Sequence, residues 1–206
     1  LGGGMITDIT SFIGATYKRG IDVYLVPTTL LSMVDATIGG KCGVNFGEVK
    51  NQIGCFLKKS IVCIEPTFLS TLSERQILSG VAEMLKIALV CDFELFEKMI
   101  QLSPLEIGQN KEYINKCIKL KQSVVKQDPF DKNYRHILNF GHTIGHALES
   151  IAMKKGQELL HGQAVVSGIY YTLDLCNNLP KETTNKIKQY IAQYYTIQQI
   201  DNVQEL

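Results

Sequence analysis

Apolar and polar positions alternate along this chain in two different ways. Up to about residue 72, short β-rich runs interleave with small-residue helical stretches, as the layers of an α/β arrangement do. Residues 21–27 (IDVYLVP) and 60–65 (SIVCIE) read as buried parallel strands, and residues 28–34 between them as a short helix. Residues 39–54 are rich in Gly and Asn and read as loop. From Ser73 onward the apolar spacing turns helical, and Ser73 and Gln76 stand at capping-box spacing. Helices are expected at about 74–91, 93–102, 111–127, 140–153, 162–177 and 181–194. The predicted fold is an α/β portion over residues 1–72 followed by an all-α domain over residues 73–206.

At 206 residues and 45% hydrophobic content, the chain can enclose one good core, or two modest ones that share a cleft. Twenty-one basic against twenty acidic residues leave a formal charge of +1. That balance gives no reason to expect nucleic-acid or membrane-surface binding. No apolar run approaches the roughly 20 residues that a membrane span needs. The start Leu1-Gly2-Gly3-Gly4 has neither a basic region nor a signal core, so a cytoplasmic location is expected. Six cysteines (Cys42, Cys55, Cys63, Cys91, Cys117, Cys176) form no CxxC pair and read as reduced core thiols. The chain opens without Met on a glycine turn that implies a preceding strand, so it reads as a fragment of a longer protein.

The chemistry concentrates around the histidines. Asn139-Phe140-Gly141-His142-Thr143-Ile144-Gly145-His146 sets two histidines four apart, and a helix puts them on one face with Asn139 and Glu149. Three of the four histidines, His142, His146 and His161, each stand beside a glycine that permits close approach. A catalytic divalent metal wants three nitrogen or oxygen ligands and an open position. The HExxH protease pattern is ruled out, because Thr143 stands where its Glu would be. Glu83 is the best carboxylate candidate, since it lies in a largely apolar stretch where an unpaired charge is costly. Lys86 lies one turn on and could bind a substrate anion; the plainer reading is an ordinary ion pair on a solvated face. Lys121 falls on the stripe of Ile114, Ile118 and Val125, with snorkelling as its plainer alternative. Core or capping histidines are the corresponding plain reading of His142, His146 and His161. In the first portion, Gly2-Gly3-Gly4 before a helix carrying Asp8 suggests a cradle for an anion. Thr28, Thr29, Asp35, Lys41, Lys50 and Asn51 form a set suited to a polyol phosphate, although each alone is more often a cap or surface group.

These strings, in this order, are similar to the 3-dehydroquinate synthase family of sugar-phosphate cyclases. The resemblance runs from residue 1 to about 176 through Gly2-Gly3-Gly4…Asp8, Pro27-Thr28-Thr29-Leu30-Leu31…Val34-Asp35, Gly39-Gly40-Lys41, Lys50-Asn51…Ile53-Gly54, Ala82-Glu83…Lys86, Asn139…Gly141-His142-Thr143…Gly145-His146-Ala147 and His161-Gly162. It implies part of an NAD-binding Rossmann-like domain followed by an all-helical metal domain, with the active site in the cleft between them. Glu83, His142 and His161 match the zinc or cobalt ligands. Gly3, Gly4, Asp8, Thr28, Thr29, Lys41, Lys50, Phe68, Leu69, Ser70 and Thr71 match NAD contacts. Asp35, Lys41, Asn51, Lys86, Lys121, Arg135, Asn139 and His146 match substrate-holding groups, of which His146, Lys86 and Asn139 are expected to be catalytic. The implied reaction converts 3-deoxy-D-arabino-heptulosonate 7-phosphate to 3-dehydroquinate and phosphate, in the shikimate pathway of aromatic amino acid biosynthesis. Transient oxidation by NAD, phosphate elimination, re-reduction and aldol closure are its steps. A homodimer is expected of the full-length protein.

Thr7, Ser11, Val49 and Gln163 depart from the family pattern, and Thr7 and Val49 add bulk near the cofactor and substrate loops. The family's upstream α/β portion and its C-terminal stretch with a further lysine have no counterpart here, so weak or no NAD binding, and an inactive isolated fragment, are expected. The alternatives are another sugar-phosphate cyclase, a metal-dependent polyol dehydrogenase of the same layout, and a non-catalytic metal-binding domain.

Overall fold

The computed structural model describes residues 1–46, 49–57, 59–177 and 179–200, with the side chains of Val49 and Lys50 outside that set. Helix α1 (Gly4–Thr16) springs directly from the glycine run, with Gly3 as its N-cap. Strands β1 (Val23–Leu25) and β4 (Ser60–Val62) pair in parallel, as the apolar runs predict. Gly2 joins them through a bridge to Pro27, with Thr28 N–H donating to the Gly2 carbonyl at 2.9 Å. The expected burial of the strands holds for one face only. Val23 and Leu25 are buried, whereas Tyr24 is 64% and Ile61 54% exposed. Helix α1 lies against the buried face, so closely that a Cβ on Gly14 would sit 2.2 Å from Val23 Cγ2.

Two expectations for the first portion need correction. The helical turn foreseen over residues 28–34 is shifted along the chain and ends in a wide π turn, Ser32–Ala36. Residues 41–46 and 49–54 are not loop: they belong to an antiparallel hairpin, β2 (Lys41–Phe46) and β3 (Val49–Phe56), with Cys42 opposite Cys55 and Val44 opposite Ile53. Its glycines signal close pairing instead of a break. A Cβ on Gly54 would lie 2.9 Å from the Cys42 carbonyl oxygen, so the hairpin trades the alternating apolar signal for backbone proximity.

The second portion is helical: α2 (Glu74–Cys91), α3 (Phe93–Met99), α4 (Pro104–Gln109), α5 (Lys111–Gln127), α6 (His142–Lys154), α7 (His161–Leu175) and α8 (Lys181–Tyr194). Helices α2, α5 and α8 have the expected bounds, while α3 stops short of residue 102. Helix α4 is absent from the sequence expectation. Six residues are too few to display a period, although Ser103 and Glu106 form a reciprocal capping box and Pro104 stands in the first turn. Ser73, by contrast, occupies the N-cap of α2 without a side-chain capping bond; Gln76 and Ile77 donate to its carbonyl.

Helix α2 is the axis of the molecule, with every residue from 79 to 88 buried. One continuous apolar cluster joins Leu30, Met33 and Val34 of the first portion to Met84 and Ile87 of α2 and on to Ile187 and Ile191 of α8. No helix among the described residues is long and apolar enough to cross a membrane.

Candidate metal and substrate site

Glu83 lies midway along α2 with 0% exposure. Two glycine contacts bring histidines to it. Gly162, directly after His161, packs so tightly on α2 that a Cβ would lie 2.1 Å from the Ser79 carbonyl oxygen, and its N–H donates to Ser79 Oγ at 3.0 Å. Gly141 adopts φ +78° as the N-cap of α6 and turns His142 inward. His142 Nε2 and His161 Nε2 lie 3.6 and 3.4 Å from Glu83 Oε1. The three ligand atoms fall within 4.8 Å of one another, close enough to share one ion.

Hydrogen bonds fix the faces of both rings. His142 Nδ1 meets the Phe140 carbonyl at 3.3 Å and His161 Nδ1 meets Glu149 Oε1 at 3.4 Å, so each ring is set to present Nε2 to Glu83. Glu149 is buried on α6, two turns beyond His142. The sequence reading places it on the polar stripe yet does not include it among the site residues; only the approach of α7 shows what it holds. His146 is exposed at the rim, its ring centroid 5.2 Å from that of His142 and 6.0 Å from that of His161.

Behind Glu83 the charges continue inward. Lys86, 2% exposed, puts Nζ 2.5 Å from Glu83 Oε2 and 3.9 Å from Asp35 Oδ1. Lys121 puts Nζ 2.5 Å from the same Asp35 oxygen and donates to the Asp35 carbonyl at 2.7 Å. The plain reading of Lys86 as a solvated-face pair is thereby excluded, and so is snorkelling for Lys121, since both ammonium groups are buried. Burial opposes ionisation of Glu83, but the Lys86 charge, followed by His161 and His142, holds its carboxyl well below the usual range. Neither Glu83 oxygen makes a well-directed hydrogen bond. An ionised buried carboxylate lacking such bonds, facing two imidazoles, suits a divalent cation. Burial, then Lys86, pushes His142 down to about 4. Burial also works against the charge on His161, yet Glu149 and Glu83 push it up to about 10.

The remaining predicted residues fall into three groups. Gly3, Gly4, Thr28 and Thr29 meet where α1 begins and β1 ends, with a Cβ on Gly3 reaching Thr29 Cγ2 at 3.0 Å. Asp8, one turn into α1, is raised to about 6 by burial and by Asp35. Thr7, one of the departures from the family pattern, is buried between the Gly4 carbonyl and Ser32 Oγ. The hairpin supplies the second group. Lys41 pairs with Asp131, and exposed Asn51 takes φ +50°. Arg135 is buried and donates to the carbonyls of Gly39 and Pro129, so it clamps the base of the hairpin. Asn139 is exposed at the end of the 3-10 turn Tyr134–Asn139. The third group follows β4 in the chain. Phe68, Leu69, Ser70 and Thr71 belong to the 3-10 turn Pro66–Thr71, where Leu69 enters the core and Ser70 Oγ bonds back to Thr67. Leu69 and Ser70 line a cleft with Leu105, Gln109 and Lys111. The Lys50 side chain lies outside the described residues.

The fold that carries this two-histidine, one-carboxylate centre is shared with solved sugar-phosphate cyclases. ValA, a 2-epi-5-epi-valiolone synthase from Streptomyces hygroscopicus subsp. jinggangensis solved with NAD+ and Zn2+, superposes with a TM-score of 0.84 at 31% identity over 93% of this chain and 55% of its own. A 2-deoxy-scyllo-inosose synthase complexed with carbaglucose-6-phosphate, NAD+ and Co2+ gives 0.81 at 27% identity over 97% of this chain and 57% of its own. Family models described as 3-dehydroquinate synthase N-terminal and 3-dehydroquinate synthase C-terminal match residues 1–79 and 80–205. The chain belongs to the 3-dehydroquinate synthase family. It is 42% identical to the 3-dehydroquinate synthase of Parabacteroides distasonis over 95% of this chain and 57% of that protein. The corresponding enzyme of Thermoanaerobacter pseudethanolicus is 43% identical over 87% of this chain and 51% of its own length. The chain thus spans about half the length of the curated relatives it matches.

Proposed function

We propose that this chain carries the metal- and substrate-binding half of a 3-dehydroquinate synthase, which converts 3-deoxy-D-arabino-heptulosonate 7-phosphate to 3-dehydroquinate and phosphate. The observation that carries the reading is the meeting of His142, His161 and the buried Glu83 carboxylate, with two buried ammonium groups behind them. Glu83, His142 and His161 would hold zinc or cobalt, and Gly3, Gly4, Asp8, Thr28 and Thr29 would receive NAD. When bound, NAD would accept and return a hydride, and the metal would polarise a substrate oxygen as a Lewis acid.

The protein's own groups then have defined tasks. Glu149 and the Phe140 carbonyl hold the two imidazoles in the orientation that leaves Nε2 for the metal. Lys86 and Lys121 supply the fixed positive charge that a phosphate and carboxylate substrate requires. Lys41, Asn51 and Arg135 bring the hairpin to the same substrate, and Asn139 orients it. His146, exposed beside the metal ligands, moves a proton between substrate hydroxyl and solvent. In the same reading, residues 1–72 belong to the cofactor domain and residues 73–206 to the metal domain, and the full-length protein is a cytoplasmic homodimer.

Incubating the full-length protein with the heptulosonate phosphate tests the reading. Phosphate release without net NADH accumulation, abolished by chelation and restored by Co2+ or Zn2+, is the expected result. NADH accumulation with an alcohol substrate would point instead to a polyol dehydrogenase. Activity unchanged in Glu83→Ala, His142→Ala and His161→Ala would leave only a non-catalytic role for the site. The likeness to cyclases that form other products makes the choice of sugar phosphate the decisive variable in the assay.

A further inference from the structure

We propose that Cys55 and Cys42 form a thiol–disulfide exchange site for a small anionic disulfide, and that its product is a cross-strand disulfide within the β2–β3 hairpin. The two residues are register partners across the antiparallel pair, and their sulfurs lie 3.5 Å apart. Directly opposed residues on antiparallel strands have Cα atoms about 4.5–5.5 Å apart, inside the 4.4–6.8 Å range that disulfides span. The backbone therefore needs no rearrangement, and side-chain rotation closes the gap.

Access is asymmetric. Cys42 is buried, whereas Cys55 is partly exposed and lines a cleft of about 540 Å³ at the end of α1. Arg19 and Lys59 line the same cleft together with Asp22, so its charged lining is net positive by one toward an anionic reagent. Burial closes the Cys42 sulfur to a reagent in solvent, while it stays within 3.5 Å of that of Cys55. Cys55 is the entry point. Its thiolate attacks one sulfur of the reagent R–S–S–R, forming Cys55–S–S–R and releasing R–S⁻. Cys42 then attacks the Cys55 sulfur, forming Cys42–S–S–Cys55 and releasing a second R–S⁻, and the two thiol protons pass to the released thiolates. In the net change two cysteine thiols are oxidised by two electrons and one R–S–S–R is reduced to two R–SH. The bond ties the strand that presents Lys41 to the strand that presents Asn51 in the observed register.

Oxidised glutathione is the probe. The folded protein is treated with it, free thiols are alkylated, and a non-reducing tryptic digest is analysed by mass. Trypsin separates the cysteines into residues 42–50 and 51–58, so the disulfide appears as one linked peptide pair. The expected result is that this pair dominates, that dithiothreitol removes it, and that prior unfolding in urea abolishes its dominance. Arg19→Ala with Lys59→Ala should slow its formation by oxidised glutathione but not by neutral hydroxyethyl disulfide. A stable glutathione adduct on Cys55 without the linked pair, or equal linkage to Cys63, Cys91, Cys117 or Cys176, would overturn the proposal. Wild-type protein suffices for these readings, so they stand even where Cys42→Ser fails to fold.

Discussion

The two ends of this molecule bury opposite kinds of surface. In the helical portion α2 turns large apolar residues such as Met84 and Ile87 inward, together with the charges of Glu83 and Lys86. In the α/β portion α1 does the reverse. It packs Thr7, Ser11 and Gly14 inward and leaves Met5 at 77% exposure, with Ile6, Ile9 and Ile13 also bare. Tyr24 and Ile61 extend apolar exposure to the neighbouring strands. Small inward residues let α1 approach β1 and the π turn closely, and its outer face carries exposed apolar side chains. Stability therefore resides in the helical core, while the glycine-capped start of α1 relies on backbone proximity.

Substitutions can break or sharpen that contrast. Glu83→Ala should have the largest effect. It leaves the buried Lys86 with the more distant Asp35 carboxylate, 3.9 Å away, to offset its charge, with a destabilisation of up to about 3–5 kcal/mol in denaturant titrations of metal-free protein, and it should abolish Co2+ binding followed by visible absorption. Asp8→Asn on α1 should leave Co2+ binding intact; an equal loss there would erase the distinction between the portions. Ile87→Ala, in the closed core, should cost about 2–5 kcal/mol, whereas Ile9→Ala on the bare face should change stability by no more than about 0.5 kcal/mol. Similar losses at both positions would show that the α1 face is covered in solution.

Glu149→Gln should be milder. Losing the carboxylate that orients His161 should weaken Co2+ or Zn2+ binding by about 10–100-fold in chelator competition, with Glu149→Asp recovering part of it. Unaltered affinity would remove Glu149 from the site. The pH effect should be smallest. In metal-free protein His161 keeps its proton up to about pH 10, above the ordinary histidine value of 6.5. Its protonation supports the fold fully below 6.5, and that support is lost as the pH climbs toward 10. His142, pushed down to about 4, behaves oppositely: its neutral form supports the fold above 6.5, and that support is lost as the pH falls toward 4. Imidazole nitrogen spectra at pH 8 should show His161 charged and His142 neutral. A neutral His161 at pH 8 would contradict the upward push from Glu149 and Glu83.

Much of the molecule was legible in the sequence because the interactions involved are short-range. The apolar period gave α2, α5 and α8 their bounds, glycine neighbours singled out His142, His146 and His161, and an apolar stretch singled out Glu83 before any geometry was known. Motif order alone pointed to the family. What tertiary structure decided was each pairing between residues distant along the chain. The hairpin of β2 and β3 lay hidden because its glycines interrupt the alternation that marks a strand, and α4 because six residues span less than two turns. The salt links of Lys121 to Asp35 and Lys41 to Asp131, the Cys42–Cys55 contact and the hold of Glu149 on His161 arise where separate elements dock. Local periodicity records which face of an element is apolar, whereas the partner that a buried charge or thiol meets is set by packing distances of a few ångströms between elements.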